Sequence, residues 1–259
     1  MPDMALSLEG SGLVLSPLFD FAYSLLNRHD IISIVGGGGK TSFMLFLKEV
    51  FNSHGQSVMM STTTHLSSKV DYGVDATVLD SASFPIMKKN SSVLFVSYDP
   101  ASDKYRSPGA DRIKSYGESF DKVIIEADGS RGLPLKYHLD GEPVILEMSS
   151  AVVSIIGADS IGAEIKSSLH RHEAYECDYA VSPDKTIDAS DIGNIIASRK
   201  GCFCGAADSM GRYVLINKMD VIEDKSDFDA LIGLSKRTGS HLVSIRKNYV
   251  ISPECTRAC

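Results

Sequence analysis

The chain has 259 residues, a net charge of -7 and a hydrophobic fraction of 43%. A chain of this length and composition can bury a large core, which excludes a disordered protein and fits an α/β domain. The acidic excess argues against general binding to nucleic acid or to anionic membranes, because clustered Lys and Arg drive that binding. We therefore expect small molecules and proteins as partners, with no nucleic acid and no membrane.

The first basic residue is Arg28, so the chain lacks the charged start of a secretory signal, and no apolar run is long enough to cross a bilayer. The cysteines are odd in number and show no paired zinc spacing; they are Cys177, Cys202, Cys204, Cys255 and Cys259. Reduced thiols in the cytoplasm are expected. Cys202 and Cys204 are also spaced to bind a metal or a sulfur species, although ordinary loop thiols are favoured.

The predicted elements alternate between short buried strands and helices. An edge strand is expected within residues 1–15, and a helix begins at Ser16-Pro17, where proline suits the first turn. Apolar strands are predicted at 31–35, 57–60, 76–79, 92–96, 122–126, 152–156, 213–216 and 241–245. Helical patterns follow the first of these strands and occupy 109–119, 188–200 and 226–236. The polar region 98–108 is expected to be a mobile surface loop.

This alternation predicts a three-layer α/β fold, with a mostly parallel sheet covered by helices on both faces. Ligands of such sheets lie outside the carboxyl ends of the strands. The polar motifs of this chain follow predicted strands, so we expect their side chains to meet at one edge of the sheet.

The strand at 31–35 runs into four glycines followed by a Lys-Thr pair. The glycines let the backbone turn its N–H groups inward, and the helix that follows adds its positive N-terminal end, so an anion is expected there. Lys40 would neutralise the outer phosphates of a nucleotide, and the Thr41 hydroxyl would bind Mg²⁺. The residues expected to bind the nucleotide are Gly36, Gly37, Gly38, Gly39, Lys40, Thr41 and Ser42.

The spacing of this loop differs from the usual phosphate-loop pattern. G-x-x-x-x-G-K-[ST] needs a glycine where Ile34 stands, so the match is to a shorter form, G-x-x-G-K-T, that starts at Gly36. The fold is accordingly expected to be P-loop NTPase-like. The alternative interpretation is a flexible glycine turn between a strand and a helix.

A run of hydroxyls, S-T-T-T-H at 61–65, follows the second predicted strand. Hard oxygen ligands suit Mg²⁺ or a water near the terminal phosphate, and Thr63 is the expected metal ligand of this run. The alternative is a β-branched extension of the strand with capping hydroxyls.

Two carboxylates, Glu126 and Asp128, end the strand at 122–126 and would face the same side if the strand continued that far. We expect Asp128 to hold the magnesium ion and Glu126 to orient an attacking water. Arg131, or Lys136 beyond it, would neutralise charge during phosphoryl transfer or hold an anionic substrate. The alternatives are two solvated acids and two ordinary loop cations.

The sequence N-K-M-D at 217–220 follows the strand at 213–216 and reads as N-K-x-D. The carboxylate of Asp220 can accept hydrogen bonds from N1–H and the exocyclic amino group of guanine, a donor pair that adenine lacks. The stem of Lys218 would pack on the base, and Asn217 completes the expected site. GTP is therefore favoured over ATP as the nucleotide.

The cluster His170-Arg171-His172-Glu173 lies in the long segment between the phosphate loop and N-K-x-D. A metal site is one interpretation, and a solvated helix face is favoured over it. We expect a single domain over 1–259, with an inserted substrate or partner region at about 130–210.

Together these motifs resemble the YqeC family, described as accessory proteins of selenium-dependent molybdenum hydroxylases. The resemblance rests on I-V-G-G-G-G-K-T-S at 34–42, S-T-T-T-H at 61–65, I-E-A-D-G-S-R-G-L-P-L-K at 125–136, E-P-V-I at 142–145, I-I-G-A-D-S-I-G at 155–162, H-R at 170–171 and N-K-M-D at 217–220. It implies a nucleotide-binding protein that helps to mature or insert a molybdenum cofactor, with a molybdenum enzyme or a cofactor-related small molecule as partner. The segment 137–141 departs from the Ala/Pro-containing segment expected there.

Three functional hypotheses follow. The first is a magnesium-dependent NTPase, GTP-specific, that acts as an accessory factor. The second is a transferase or ligase that modifies a small anionic substrate held by Arg131, Lys136 and His170-Arg171; the short loop and the threonine run also look like the ATP-dependent Mur-type ligases, which lack N-K-x-D. The third is a module that senses nucleotide without turnover.

Overall fold

A computed structural model describes residues 13–80 and 90–253 of the chain. The strands in these ranges are β1 Leu13–Pro17, β2 Ile31–Gly36, β3 Val58–Thr62, β4 His65–Ser67, β5 Ala76–Leu79, β6 Ser92–Asp99, β7 Lys104–Arg106, β8 Lys122–Glu126, β9 Leu135–Lys136, β10 Ala151–Gly157, β11 Leu169–His170, β12 Gly211–Asn217, β13 His241–Ser244 and β14 Tyr249–Pro253. The α-helices are α1 Leu18–Leu26, α2 Lys40–Ser53, α3 Ala110–Gly117, α4 Ile165–Ser168, α5 His172–Tyr179, α6 Ala189–Ala197 and α7 Lys225–Thr238.

One large mixed sheet forms the centre of the molecule. Its strand order is β1-β14-β13-β12-β10-β2-β8-β3-β6-β7-β4, and β5 also pairs with β6. The strands from β13 to β6, together with β5, are parallel, whereas β1, β14, β7 and β4 add antiparallel edges. The central strands are almost continuously apolar, as expected for strands covered on both faces.

Helices cover both faces of the sheet. On one face, Phe43 and Leu47 of α2 pack with Ile34 and other strand residues in a cluster that α1 also joins. On the opposite face, Ile113 of α3 packs with Ile125. Helices α6 and α7 extend that face through a second cluster with β12 and β13. The three-layer α/β prediction is therefore confirmed.

Most predicted elements are found within two or three residues of their expected ends. The second strand continues through Thr62 because its hydroxyl run remains paired with β8. The expected edge strand is present from Leu13, and the rest of that prediction, residues 1–12, lies outside the described residues. Among the described residues, no helix is long and apolar enough to span a membrane.

The prediction of a surface loop at 98–108 was wrong. β6 continues to Asp99, and β7 returns beside it as an antiparallel hairpin with Tyr98 opposite Tyr105. β4 then pairs with β7 and extends the sheet by one short strand. Strands of three residues carry too little alternation to be predicted from sequence.

A second sheet has two short strands. β9 lies between β8 and β10 in the sequence, and β11 follows β10. β9 and β11 pair in parallel and place Lys136 opposite His170. Two residues of each strand carry no periodic signal, so only the tertiary fold reveals this juxtaposition.

Candidate functional site

The glycine loop between β2 and α2 is packed too closely for side chains. A Cβ on Gly37 would lie 2.5 Å from the Leu133 carbonyl oxygen, and one on Gly38 would lie 2.2 Å from the Gly157 nitrogen. Gly38 also has a φ of +70°, in the left-handed region that glycine adopts without strain. The glycines therefore let the loop fit between the end of β10 and the segment at 133–134.

The N–H groups of Gly36, Gly37 and Gly38 already have acceptors. Gly36 donates to Oδ2 of Asp128 at 2.8 Å, and the other two donate to backbone carbonyls at 2.9 Å and 3.4 Å. The first three N–H groups of α2, from Lys40 to Ser42, have no acceptor within the helix, since the first intrahelical bond is made by the next residue. The N–H groups suited to an anion thus belong to the start of α2.

A pocket of about 570 Å³ opens over this helix start, at the carboxyl ends of β2, β3 and β8. Its walls are the first turn of α2, the β4 and β7 strands, and the loop after β8. The lining residues are Gly38, Gly39, Lys40, Thr41, Ser42, Thr64, His65, Lys104, Glu126, Gly129, Ser130, Arg131, Gly132, Leu133 and Lys218.

Lys40 is buried at the base of this pocket. Its Nζ donates to the Gly36 carbonyl at 2.6 Å and lies 3.1 Å from Oδ1 of Asp128 and 4.0 Å from Oε1 of Glu126. Ser130 accepts a further bond at 3.3 Å. The structure thus brings together the lysine and both carboxylates that the sequence predicted as catalytic.

The Thr41 hydroxyl is paired with Glu126. Its Oγ1 donates to Oε2 of Glu126 at 2.8 Å. Burial raises the pKa of Glu126 above its ordinary value, although Lys40 and the Thr41 hydroxyl favour the charged form. Thr41 and Glu126 both line the pocket, so they form its hard-oxygen pair.

Asp128 is placed behind the loop, where its side chain is 1% exposed. Burial raises its pKa, but Lys40, His138 and the Gly36 N–H together outweigh burial and hold the pKa of Asp128 below its ordinary value. β8 ends at Glu126, so the two acids do not continue one strand face. Asp128 does not line the pocket, whereas Thr41, with which it was expected to share a metal, lines it and is paired with Glu126.

His138 is a residue of this site that the sequence analysis missed. Its Nε2 lies 2.9 Å from Oδ2 of Asp128, and its Nδ1 faces the carbonyls of Lys200 and Gly201 at 3.1 Å and 3.0 Å. Two carbonyls can only accept, so the geometry assigns the donor role to Nδ1 on that side, while Nε2 faces the carboxylate. The only available signal was that 137–141 departs from the expected family segment.

Two hydroxyls of the threonine run donate to backbone carbonyls of neighbouring segments. The hydroxyl of Thr62 donates to the Glu126 carbonyl at 2.8 Å. The hydroxyl of Thr63, the predicted metal ligand, donates to the Val144 carbonyl at 2.8 Å. Thr64 rather than Thr63 lines the pocket. The structure therefore directs the Thr63 side chain to a neighbouring loop.

Three exposed residues at the pocket rim carry cationic or titratable groups. Arg131 has a φ of +53° in the loop after β8. Lys104 and His65 come from the β7 and β4 strands, whose pairing the sequence did not predict. In the described part of the chain, neither Arg131 nor Lys104 is in an ion pair.

Asn217 binds the glycine loop to the segment after β13. Its Nδ2 donates to the Gly38 carbonyl at 2.9 Å, and its Oδ1 accepts from the Ile245 N–H at 3.0 Å. A Cβ on Gly39 would lie 3.0 Å from Nδ2. The asparagine thus fixes the N-K-x-D segment beside the glycine loop.

Lys218 and Asp220 line a second pocket of about 550 Å³ that shares Gly39, Ser42 and Lys218 with the first. Lys218 Nζ is paired with Asp159 at 2.6 Å. Asp220 accepts from the Ser244 hydroxyl at 2.6 Å.

Arg246 also lies against Asp220, with Nη2 2.6 Å from Oδ2. Burial opposes the charge on Asp220, but Ser244 and Arg246 hold its pKa below the ordinary value. The sequence analysis missed Ser244 and Arg246 because no motif marks them.

The cluster at 170–173 is divided by the fold. His170 is buried on β11, whereas α5 begins at His172, so the expected helix face contains only the later residues. Within the ranges that the structure covers, no group of three or more His, Cys, Asp or Glu is arranged to hold a metal. Cys177, Cys202 and Cys204 are free thiols.

Comparisons with known proteins place the chain in a family. The family model described as YqeC protein matches residues 32–173. An uncharacterized protein YqeC from Escherichia coli (strain K12) is 29% identical over 203 residues, which cover 76% of this chain and 79% of the relative. No solved structure matches the chain significantly. Because the family model covers more than half of the chain, including the glycine loop and the acidic segment after β8, the chain belongs to the YqeC family.

Proposed function

We propose that this protein binds GTP with Mg²⁺ and hydrolyses it. The observation that carries the proposal is the position of Lys40, Thr41 and Glu126 around the start of α2, in a pocket that adjoins the Asp220 pocket. A helix N-terminus with free N–H groups and a buried lysine suits a phosphate chain. The adjoining pocket suits the base.

The donor set of the larger pocket fits magnesium. Mg²⁺ prefers oxygen ligands and usually keeps several waters, so a carboxylate and a hydroxyl suffice. Thr41 and Glu126 would hold the ion, in place of the expected Asp128 and Thr63, because their oxygens line the pocket. The ion would neutralise phosphate charge and so favour transfer of the terminal phosphoryl group to water.

The remaining predicted catalytic residues have separate roles in this proposal. Lys40 lies among acceptors within 4.0 Å and would exchange some of them for phosphate oxygens. Arg131 is exposed at the rim without an ion pair among the described residues, so it is free to neutralise charge that develops during transfer. Asp128 orients Lys40 and the Gly36 N–H from behind the loop.

The preference for guanine is supported by Asp220, which lies in the pocket that adjoins the phosphate site. Arg246 presents two N–H groups to this carboxylate, from Nε at 3.0 Å and Nη2 at 2.6 Å. The N1–H and amino group of guanine would present an equivalent pair. If guanine displaced Arg246 from Asp220, the carboxylate would still accept hydrogen bonds, now from the base.

The biological role proposed is that of a cytoplasmic accessory factor in the maturation of a molybdenum cofactor-dependent hydroxylase. This part of the proposal is supported by the resemblance to the family description given above. A molybdenum enzyme, or a small molecule related to its cofactor, would be the partner.

Two alternatives use the same pocket. A nucleotide-dependent transferase or ligase is favoured by Lys136 and Arg171, which lie behind the loop that contains Arg131 and would hold an anionic substrate. A sensing module would bind nucleotide and present a surface without turnover. Turnover without any second substrate separates hydrolysis from both alternatives.

The test is to measure binding of GTP and ATP, with and without Mg²⁺, and to follow phosphate release. Lys40→Ala should abolish release, whereas Lys69→Ala, an exposed lysine paired with Asp103, serves as the matched control. Release that persists in Lys40→Ala would contradict hydrolysis at this site. Equal binding of ATP and GTP would remove the guanine assignment.

A further inference from the structure

A cluster of cationic side chains lies directly behind the loop that forms one wall of the larger pocket. Lys136 Nζ donates to the carbonyl of Gly129, a residue of that wall, at 2.8 Å, and to Glu142 at 2.6 Å. Arg171 Nη2 donates to the other oxygen of Glu142 at 2.7 Å. These two cations share one carboxylate, so the positive charge on their side chains exceeds the negative charge of Glu142 even before Arg131 is counted.

His170 lies among these charges and is 9% exposed. Burial, followed by Lys136, Arg171 and Arg131, lowers the pKa of His170 to about 4. The imidazole is therefore neutral at pH 7, and Glu142 is the facing acid that opposes the shift. Lys136, Arg171 and Arg131 outnumber Glu142 and Glu173, the carboxylates that act on Arg171, so the cluster keeps a net positive charge.

In the part of the chain that the structure describes, one buried donor of the cluster lacks a protein acceptor. Nε of Arg171 is buried and has no hydrogen-bond partner among the described residues. Lys136 has used two of its three N–H groups, for Gly129 and Glu142. A buried donor without an acceptor is costly, so Nε of Arg171 beside excess positive charge indicates a ligand that supplies acceptors.

We propose that His170, Arg171, Lys136 and Arg131 form a subsite for the phosphate monoester group of a second small ligand. A phosphate dianion balances the excess charge and offers several acceptor oxygens, more than one carboxylate provides. Arg131 lines the pocket in the same loop as Gly129, to which Lys136 donates, so the second ligand would lie beside the pocket proposed for the nucleotide phosphates. The position of this subsite rests on the proposed nucleotide function; its anion chemistry does not.

The experiment uses inorganic phosphate as the probe and the intact chain with labelled histidines. Phosphate is titrated while the His170 ring resonances are followed by NMR, first alone and then with a saturating non-hydrolysable GTP analogue and Mg²⁺. We expect the His170 signals to shift and its pKa to rise when phosphate binds. Phosphate should still saturate the subsite when the GTP analogue is bound, because the two ligands would bind at separate sites.

Two variants test which groups bind the probe. Arg171→Gln and Arg131→Gln should each weaken phosphate binding by about tenfold or more, the effect of losing one charge-assisted hydrogen bond. Arg131 is exposed, so its replacement does not depend on a buried contact. Arg212→Gln, which removes an arginine paired with Asp208 at 2.8 Å elsewhere, should bind phosphate as the unmodified chain does.

Three outcomes would overturn the subsite: His170 signals that do not respond to phosphate, competition between phosphate and the GTP analogue, or acetate that binds as tightly as phosphate. The first outcome would show that phosphate does not bind at this cluster. The second would show that the cluster binds the nucleotide. The third would show that the cluster has no preference for a phosphate monoester. Failure of the analogue to bind would instead contradict the proposed nucleotide function, because the His170 response to phosphate alone still reports on the subsite.

Discussion

His138 Nε2 lies 2.9 Å from Asp128 Oδ2, and both side chains are almost completely buried. The same carboxylate accepts the Gly36 N–H at 2.8 Å. His138 also faces the carbonyls of Lys200 and Gly201. The pair thus connects the glycine loop to Lys200 and Gly201, which follow His138 by more than sixty residues.

Replacing His138 tests this connection. His138→Leu should lower the free energy of unfolding by roughly 3 kcal/mol, because it leaves a buried carboxylate without one of its partners. His138→Gln retains an N–H donor and should cost less. Urea denaturation measures both, and equal midpoints for His138→Leu and the unmodified chain would contradict a structural role.

The metal assignment predicts different effects for the two carboxylates near Lys40. Glu126→Gln should weaken Mg²⁺ binding to the nucleotide complex about tenfold and leave metal-free nucleotide binding intact, since the Thr41 hydroxyl keeps an acceptor. Asp128→Asn should mainly lower stability. Calorimetric titration of Mg²⁺ tests this, and loss of metal dependence in Asp128→Asn alone would restore the assignment made from sequence.

Inosine triphosphate provides a matched ligand for the base pocket, because it lacks only the exocyclic amino group of GTP. The unmodified protein should bind GTP more tightly than ITP by about tenfold, the value of one hydrogen bond to a charged group. Asp220→Asn should reduce this ratio toward one. A ratio that survives the substitution would show that another group reads the base.

Arg246 competes for the same carboxylate in this structure, and its side chain is 70% exposed. Arg246→Met should raise GTP affinity by up to about fivefold, the value of an exposed ion pair, and leave ATP affinity unchanged. Fluorescence titration with both nucleotides measures the effect. Weaker GTP binding would mean that Arg246 contacts the nucleotide itself.

His170 predicts a pH dependence of stability. Its pKa is about 4 in the folded protein against 6.5 normally, so the unfolded chain takes up a proton first as pH falls. Folding stability should therefore decline between pH 6.5 and pH 4, by up to roughly 3 kcal/mol. His170→Asn should lack this part of the decline in urea titrations at pH 7 and pH 5.

Glu142 affects folding stability at lower pH than His170 does, so the two contributions can be measured separately. Burial opposes its charge, but Arg171 and Lys136 lower the pKa of Glu142 to about 2. Its stabilising contribution is complete above its ordinary pKa of 4.5 and is lost as pH falls toward 2. An identical decline in His170→Asn and in the unmodified chain between pH 6.5 and pH 4.5 would contradict the role given to His170.

Much of the fold could be predicted because its parallel strands are long apolar runs. β2, β8 and β10 have five to seven residues, and nearly all of them are buried, so composition alone marks them. The short strands β4, β7, β9 and β11 have two or three residues, and β4, β9 and β11 pair with strands more than thirty residues away in sequence. Local pattern contains no information about such partners.

The sequence by itself determined the glycine loop, the Lys40-Thr41 pair and the positions of the acidic and N-K-x-D motifs, because each follows a strand that apolar burial specifies. Only the tertiary structure decided which carboxylate faces Thr41, since the strand ends at Glu126 and Asp128 turns toward His138. It also decided that Lys136 and His170 lie side by side, because strand register depends on long-range pairing.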